Sequence, residues 1–197
     1  MFRGNSILFL KEKGLLSDTF EILHQRFRRG EINEQELNRL QFPLLKGVKL
    51  DPLFEELSNG PLLLNIQQGV DALKRRGLEV SMLSYNPLQI FFGRKYGIDC
   101  SVSKFFEIRN GMVSESSEVP ANKVVCLKKY CADHTIKLEE CVHIGDGMND
   151  IQTFGAVGFS IALNGMTHDV KKSASTHLET DDFTLVTNEI LKFFSKR

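Results

Sequence analysis

An α/β fold built on a doubly wound parallel sheet is what this 197-residue sequence predicts. Three observations carry the prediction. From residue 65 onward, short apolar runs alternate with amphipathic stretches, the pattern of strands joined by crossover helices. The apolar run Val142-His143-Ile144 breaks at Gly145-Asp146-Gly147, and a helical pattern resumes at Asn149 and Asp150. That arrangement sets polar residues at the carboxyl end of a strand, where open α/β sheets hold their ligands. Residues 5–60, by contrast, show helical periodicity and no strand pattern, so a small helical layer precedes the sheet.

The elements follow in order. Ser6 to Leu10 leads into a first helix closed by Gly14. Ser17-Asp18 predicts the cap of a second, with Phe20, Leu23, His24 and Phe27 on one face, ended by Arg28-Arg29-Gly30. Asn33 caps a third over residues 34–40, and a fourth spans 51–57. An amphipathic helix over 66–76 buries Val70 and Leu73 and closes at Gly77. Residues 78–83 read as a strand that delivers Ser84 at its carboxyl end. Pro87 opens a helix to Lys95, stopped by Gly97. Residues 105–115 read as a hairpin around Asn110-Gly111. Pro120 starts a helix to about Asp133, with Lys123 in its first turn. Strands over 141–144 and 157–162, a helical turn over 169–173 and a closing amphipathic helix over 181–194 complete the chain. The expected domains are a helical cap over 12–60 and an α/β core formed by 1–11 and 61–197.

Composition narrows the function classes. Lys+Arg 25 against Asp+Glu 25 leaves no net charge, so nothing advertises nucleic acid or an acidic membrane surface. Cys100, Cys126, Cys131 and Cys141 form no Cys-x-x-Cys pair and read as buried or free thiols of a reducing compartment. No apolar run reaches membrane-spanning length, and the first twenty residues are too charged for a signal peptide. The expected location is cytoplasmic; oligomeric state has no signature.

Asp146, Asn149 and Asp150 crowd two carboxylates and a carboxamide into five residues. Like charges that close are costly unless a cation compensates them. An EF-hand loop fails because Met148 stands at its third position, and a dinucleotide fingerprint fails because Asp150 stands where a glycine is needed. A hard cation such as Mg²⁺ suits one or two carboxylates plus a substrate phosphate.

The run Gly145-Asp146-Gly147-Met148-Asn149-Asp150 resembles the fourth motif of the haloacid-dehalogenase-like phosphohydrolases, in particular of their phosphoserine-phosphatase-like branch. The order Ser84, Lys123, Gly145-Asp146…Asp150 resembles that family's second, third and fourth motifs, and with the helical segment the likeness covers nearly the whole chain. It implies Asp146 as Mg²⁺ ligand, Ser84 as donor to the phosphoryl group and Lys123 as its fixed cation. It implies Asp150 as the acid that holds Lys123, and Asn149 as support for the same loop. It also implies a cap that closes over the substrate, a cleft that His24 can face, and hydrolysis of a small phosphorylated metabolite through an aspartyl-phosphate intermediate.

Departures accompany the matches. The family's nucleophile and general acid/base sit in Asp-x-Asp after a first, central strand, and this sequence contains no Asp-x-Asp. Residues 1–5 resemble the segment just after that motif, so the nucleophile and central strand are expected to be missing from this chain and turnover impaired. Either the neighbouring strands then close the gap or a gap remains, with Ser6 to Leu10 staying helical. The branch that uses phosphoserine carries a Glu where Asn5 stands and an Arg where Gln41 stands, and its second motif reads Ser-Gly-Gly where this chain has Ser84-Tyr85-Asn86. These differences speak against phosphoserine as the substrate. The alternative is an inactive module that binds Mg²⁺ and a phosphorylated ligand or a protein partner. A receiver-type domain would need an acidic pair after an early strand, and none is visible.

Overall fold

The computed structural model describes residues 2–86, 88–103, 106–116, 120 and 122–196. The chain begins with four helices: α1 (Ser6–Glu12), α2 (Thr19–Arg28), α3 (Glu34–Leu45) and α4 (Leu50–Ser58). Asn5 caps α1 by accepting from the Ile7 and Leu8 amides, and Asn33 caps α3 by accepting from the Glu36 amide. Asp18 does not cap α2. Its backbone is already helical, and its carboxylate pairs with Lys11 Nζ at 3.2 Å instead. Leu23, Ile32 and Leu37 give α2 and α3 a small core of their own. Ile7 and Leu10 of α1, Phe20 of α2, Phe42 and Leu45 of α3, and Leu53 and Leu57 of α4 all belong to the main core, so each of the four helices is rooted in it.

The remainder alternates as expected. It runs α5 (Ile66–Arg75), α6 (Gln89–Tyr96), β1 (Phe106–Arg109), β2 (Met112–Ser116), α7 (Lys123–Asp133), β3 (Val142–Gly145), α8 (Ile151–Phe154), β4 (Phe159–Leu163), α9 (His168–Ser173), β5 (Thr176–Leu178) and α10 (Phe183–Phe194). Strands β3, β4 and β5 form a parallel sheet in that order, with Val142 opposite Phe159 and Ile161 opposite Thr176. Successive residues of a strand point to opposite faces. Accordingly Ile161 and Leu163 pack with Phe183, Val186 and Ile190, while Ala162 packs with Phe154 and Val170. Helices thus cover both faces of β4, the doubly wound arrangement. On one face α5 and α10 lie close, because a side chain at Gly69 would stand 2.5 Å from Phe183 and Thr187 atoms.

Several expected boundaries shift. Pro87 lies outside the described residues. The helix that carries Lys123 starts at that residue, because Asn122 accepts from the Val125 amide and caps it there. β5 had no signal; it is short, and its pairing with β4 defines it. The hairpin β1–β2 forms, and residues 47–50 of the helical segment pair along β2 through Gly47 N to Val113 O at 2.8 Å and Leu50 N to Gly111 O at 2.9 Å. All four cysteines are free thiols.

The largest correction is residues 78–83. They run extended but form no strand; Ser81 makes one parallel bridge, to Asp99. A strand needs a continuous ladder, and here one edge meets only that bridge. Among the described residues no ladder joins this segment to β3, and Ser6 to Leu10 stays helical in α1. Direct pairing of the two segments, one of the expected outcomes, is not seen among the described residues.

Candidate active site

Asp150 is the anchor of the site. It follows β3 across one tight turn and is 2% exposed. Its Oδ1 accepts from Lys123 Nζ at 2.8 Å and from His143 Nε2 at 2.9 Å. Its Oδ2 accepts from the amides of Asp146 at 3.2 Å and Gly147 at 3.1 Å. Burial alone would raise its pKa; the Lys123 charge and the His143 hydrogen bond outweigh burial and hold the carboxyl well below the usual range. Because that carboxylate is ionised, His143 Nε2 carries the ring proton. The arrangement fixes the loop 145–150 against α7 and presents the Lys123 ammonium to the recess beside it.

Asp146 sits at the tip of this loop and remains open to solvent. Surrounding protein and the Asp150 charge hold its carboxyl above the usual range, and the Lys123 charge opposes them only in part. A carboxylate short of positive charge at the end of a parallel strand has the chemistry of a hard-cation ligand. Among the described residues no group of three or more His, Cys, Asp or Glu side chains could hold a metal ion. A hard cation held there by Asp146 would take its other oxygen ligands from substrate phosphate and water.

The helical segment reaches this loop. Asn149 Nδ2 donates to Glu34 Oε1 at 2.5 Å, joining the first turn of α3 to the loop. Burial raises the Glu34 pKa, with the Lys123 charge and the Asn149 hydrogen bond acting against it. Ser84 Oγ accepts from the Asn86 amide at 3.1 Å, and Asn86 Nδ2 donates to Ser6 Oγ at 3.3 Å. Burial raises the pKa of Tyr85 beside it, with a smaller contribution from the Glu34 charge, and Tyr85 lies next to Cys126 of α7. The structure thus gathers Lys123, Asp146, Asn149 and Asp150 directly, and brings the Ser84 segment to the same helices α3 and α7.

Two members had no place in the sequence prediction. His143 read as part of an apolar strand; its signal was that a buried imidazole needs a partner. Glu34 read as an ordinary first-turn acid of a helix, and nothing local announces its contact with Asn149. His24 lies between α1 and α3, with Nδ1 3.4 Å from Asn5 Nδ2 and Nε2 3.0 Å from the Gln41 amide.

Gly145 makes the close approach possible. A Cβ there would stand 2.2 Å from Asp150 Cγ and 2.5 Å from its Oδ2. Asp150 cannot yield, since four donors hold it. Gly145→Ala is expected to cost about 1–3 kcal/mol through overpacking. A urea melt with an unchanged midpoint would contradict this geometry.

Comparisons with known proteins agree with this architecture. A family profile described as haloacid dehalogenase-like hydrolase matches residues 105–190. The chain is 26% identical to a phosphoserine phosphatase of Saccharomyces cerevisiae over 171 residues, 81% of this chain and 54% of that protein. It is 24% identical to a phosphoserine phosphatase of Methanocaldococcus jannaschii over 189 residues, 93% of this chain and 87% of that one. It thus spans about half the length of the yeast relative. Two solved structures share the fold. One is a substrate-bound phosphoserine phosphatase complex, with TM-score 0.72, 23% identity, and coverage of 96% of this chain and 91% of that one. The other is a HAD family hydrolase of Salmonella enterica, with TM-score 0.75, 22% identity, and coverage of 92% of this chain and 64% of that one. The profile, the relatives, the sheet and the Gly145–Asp150 loop agree: the chain has the fold of the haloacid-dehalogenase-like hydrolases and is similar to phosphoserine phosphatases.

Proposed function

We propose that this chain carries the phosphate- and Mg²⁺-binding half of a phosphatase site for a small phosphate monoester. The observation that carries the reading is the buried Lys123–Asp150 pair at 2.8 Å, which holds an ammonium beside the Asp146 loop. A lysine ammonium has three protons to donate, and Asp150 accepts one; the phosphoryl oxygens are the partners proposed for the others. Ser84 is the proposed hydroxyl donor to the same group. Asp146 would hold the Mg²⁺, which when bound adds positive charge to the phosphoryl oxygens. The helical segment over residues 12–60, which meets the loop at Glu34, would act as a mobile cap that excludes water from the phosphate site.

Attack on phosphorus through an aspartyl phosphate needs a carboxylate that the 197 residues do not offer in an Asp-x-Asp. Turnover by this chain alone is therefore expected to be weak or nil. That same absence favours the second reading, an inactive module that binds Mg²⁺ and a phosphorylated ligand or partner.

Calorimetric titration with inorganic phosphate tests the site itself. Phosphate should bind when Mg²⁺ is present, and Asp146→Asn should abolish the Mg²⁺ dependence. Phosphate binding that ignores both Mg²⁺ and Asp146 would remove Asp146 from the metal role.

A further inference from the structure

We propose that Cys131 and Cys141 form a dithiol oxidation site, at which an intramolecular disulfide clamps the end of α7 to the start of β3.

The two thiols meet where helix and strand come together. Cys131 stands in the last turn of α7, and Cys141 immediately precedes β3. Their Sγ atoms are 3.5 Å apart, a contact between unbonded sulfurs. A disulfide needs about 2.05 Å, so roughly 1.5 Å of side-chain adjustment closes the bond. The turn between them is held by its own hydrogen bonds. Ile136 N donates to Cys131 O at 2.8 Å, Lys137 N donates to Glu140 Oε2 at 3.1 Å, and Cys141 N donates to Leu138 O at 3.1 Å. Both cysteines are thus anchored through their backbones, and the sulfurs are kept close. The other two thiols are placed differently. Cys100 Sγ donates to the carbonyl oxygens of Gln89 and Ile98, and Cys126 lies beside Tyr85.

Exposure divides the roles. Cys131 is 3% exposed and Cys141 is half-buried, so a reagent in solution meets Cys141 first. The oxidant class is a low-molecular-weight disulfide. Cys141 gives its proton to water, and its thiolate attacks one sulfur of that disulfide. A mixed disulfide forms and one small thiolate leaves. Cys131, already against Cys141 Sγ, then loses its proton, attacks that sulfur and expels the second small thiolate. The two released protons go to the two small thiolates. Two protein thiols have given up two electrons, and one small disulfide has become two thiols.

The clamp bears on the phosphate site through the same two elements. From Lys123 to Cys131, α7 extends about 12 Å, and from Cys141 to Gly145 the chain climbs about 13 Å. The Lys123–Asp150 pair at 2.8 Å ties α7 to the loop after β3 at one end. The disulfide ties helix to strand at the other.

Incubating the 197-residue chain with oxidised glutathione tests this. Thiols titrated in denaturant should fall from four to two, and proteolytic peptides should join Cys131 to Cys141. Burial, the neighbouring Cys131 and the Glu140 charge push the Cys141 pKa up to about 12. Thiolate is then scarce at neutral pH, so bridging should accelerate about tenfold per pH unit between pH 7 and pH 9. The melting temperature should rise by roughly 5–10 °C, because the bridge restricts the unfolded chain, and dithiothreitol should reverse the rise. Cys131→Ser should stop at a glutathione adduct on Cys141, while Cys141→Ser should gain neither bridge nor adduct at Cys131. Four titratable thiols in the wild-type chain after treatment at pH 9, or a bridge that uses Cys100 or Cys126 or joins two chains, overturns the site. A Cys131–Cys141 bridge that leaves the melting temperature unchanged or lower overturns the clamp.

Discussion

Lys123→Met should lower the stability of this protein by about 3–5 kcal/mol, because it strips the cation from a buried carboxylate. For a chain of this size that is a fall in melting temperature of roughly 6–20 °C. The Lys123 side chain is 10% exposed and that of Asp150 is 2% exposed, so water cannot replace the lost charge. The pH dependence should reverse as well. In the wild-type chain the depressed Asp150 pKa contributes stability that is fully present above the unfolded value near ~4 and is lost as pH falls toward the folded one. With Lys123 gone, burial dominates and the Asp150 pKa rises, so the deficit should shrink as the solution is made acidic. The double variant Lys123→Met with Asp150→Leu should recover much of the loss, since two apolar groups need no pairing. Thermal melts at pH 5 and pH 8 decide the matter. A Lys123→Met protein as stable as wild type at pH 8 would mean that the pair contributes little.

Adding a strand that ends in Asp-x-Asp, fused ahead of residue 1, should convert a chain with little turnover into one that hydrolyses phosphate monoesters. The expected gain is large, because enzymatic rates exceed uncatalysed ones by roughly 10⁶-fold or more. The motivation is structural as well as chemical. Residues 78–83 lead to Ser84 and β3 leads to the Asp146 loop, and no ladder joins the two segments among the described residues. A strand laid between them would pair with both, and each hydrogen bond gained adds about 0.5–1.5 kcal/mol. Melting temperature should therefore rise together with activity. The control is the 197-residue chain in the same assay. Robust turnover by that chain, lost on Asp146→Ala, would place the nucleophile among residues already present.

The local features of this protein were readable from sequence because their causes are local. Asn33 accepts from the amide three residues on, so it caps its helix whatever surrounds it. Gly145-Asp146-Gly147 ends an apolar strand because a turn follows, and the alternation after residue 65 allows few arrangements besides a parallel sheet covered on both sides. The grouping of Lys123 with the 146–150 loop came instead from the resemblance to the family's third and fourth motifs, and the contact itself spans 27 positions.

Only the tertiary structure decided the rest. Residues 78–83 carry a strand pattern, but strand formation depends on a neighbour, and a single bridge to Asp99 does not make one. Asp18 had the residue type of a cap and gave its carboxylate to Lys11 instead. Glu34 meets Asn149 across 115 positions of sequence, and His24 meets Asn5 and Gln41 across 19 and 17. Periodicity says which face of α3 is buried; what that face is buried against depends on how the helical segment lies over the sheet. For that reason Asn38 passes as one more helical residue in the sequence and stands out in the fold, as a buried donor with nothing among the described residues to receive its proton.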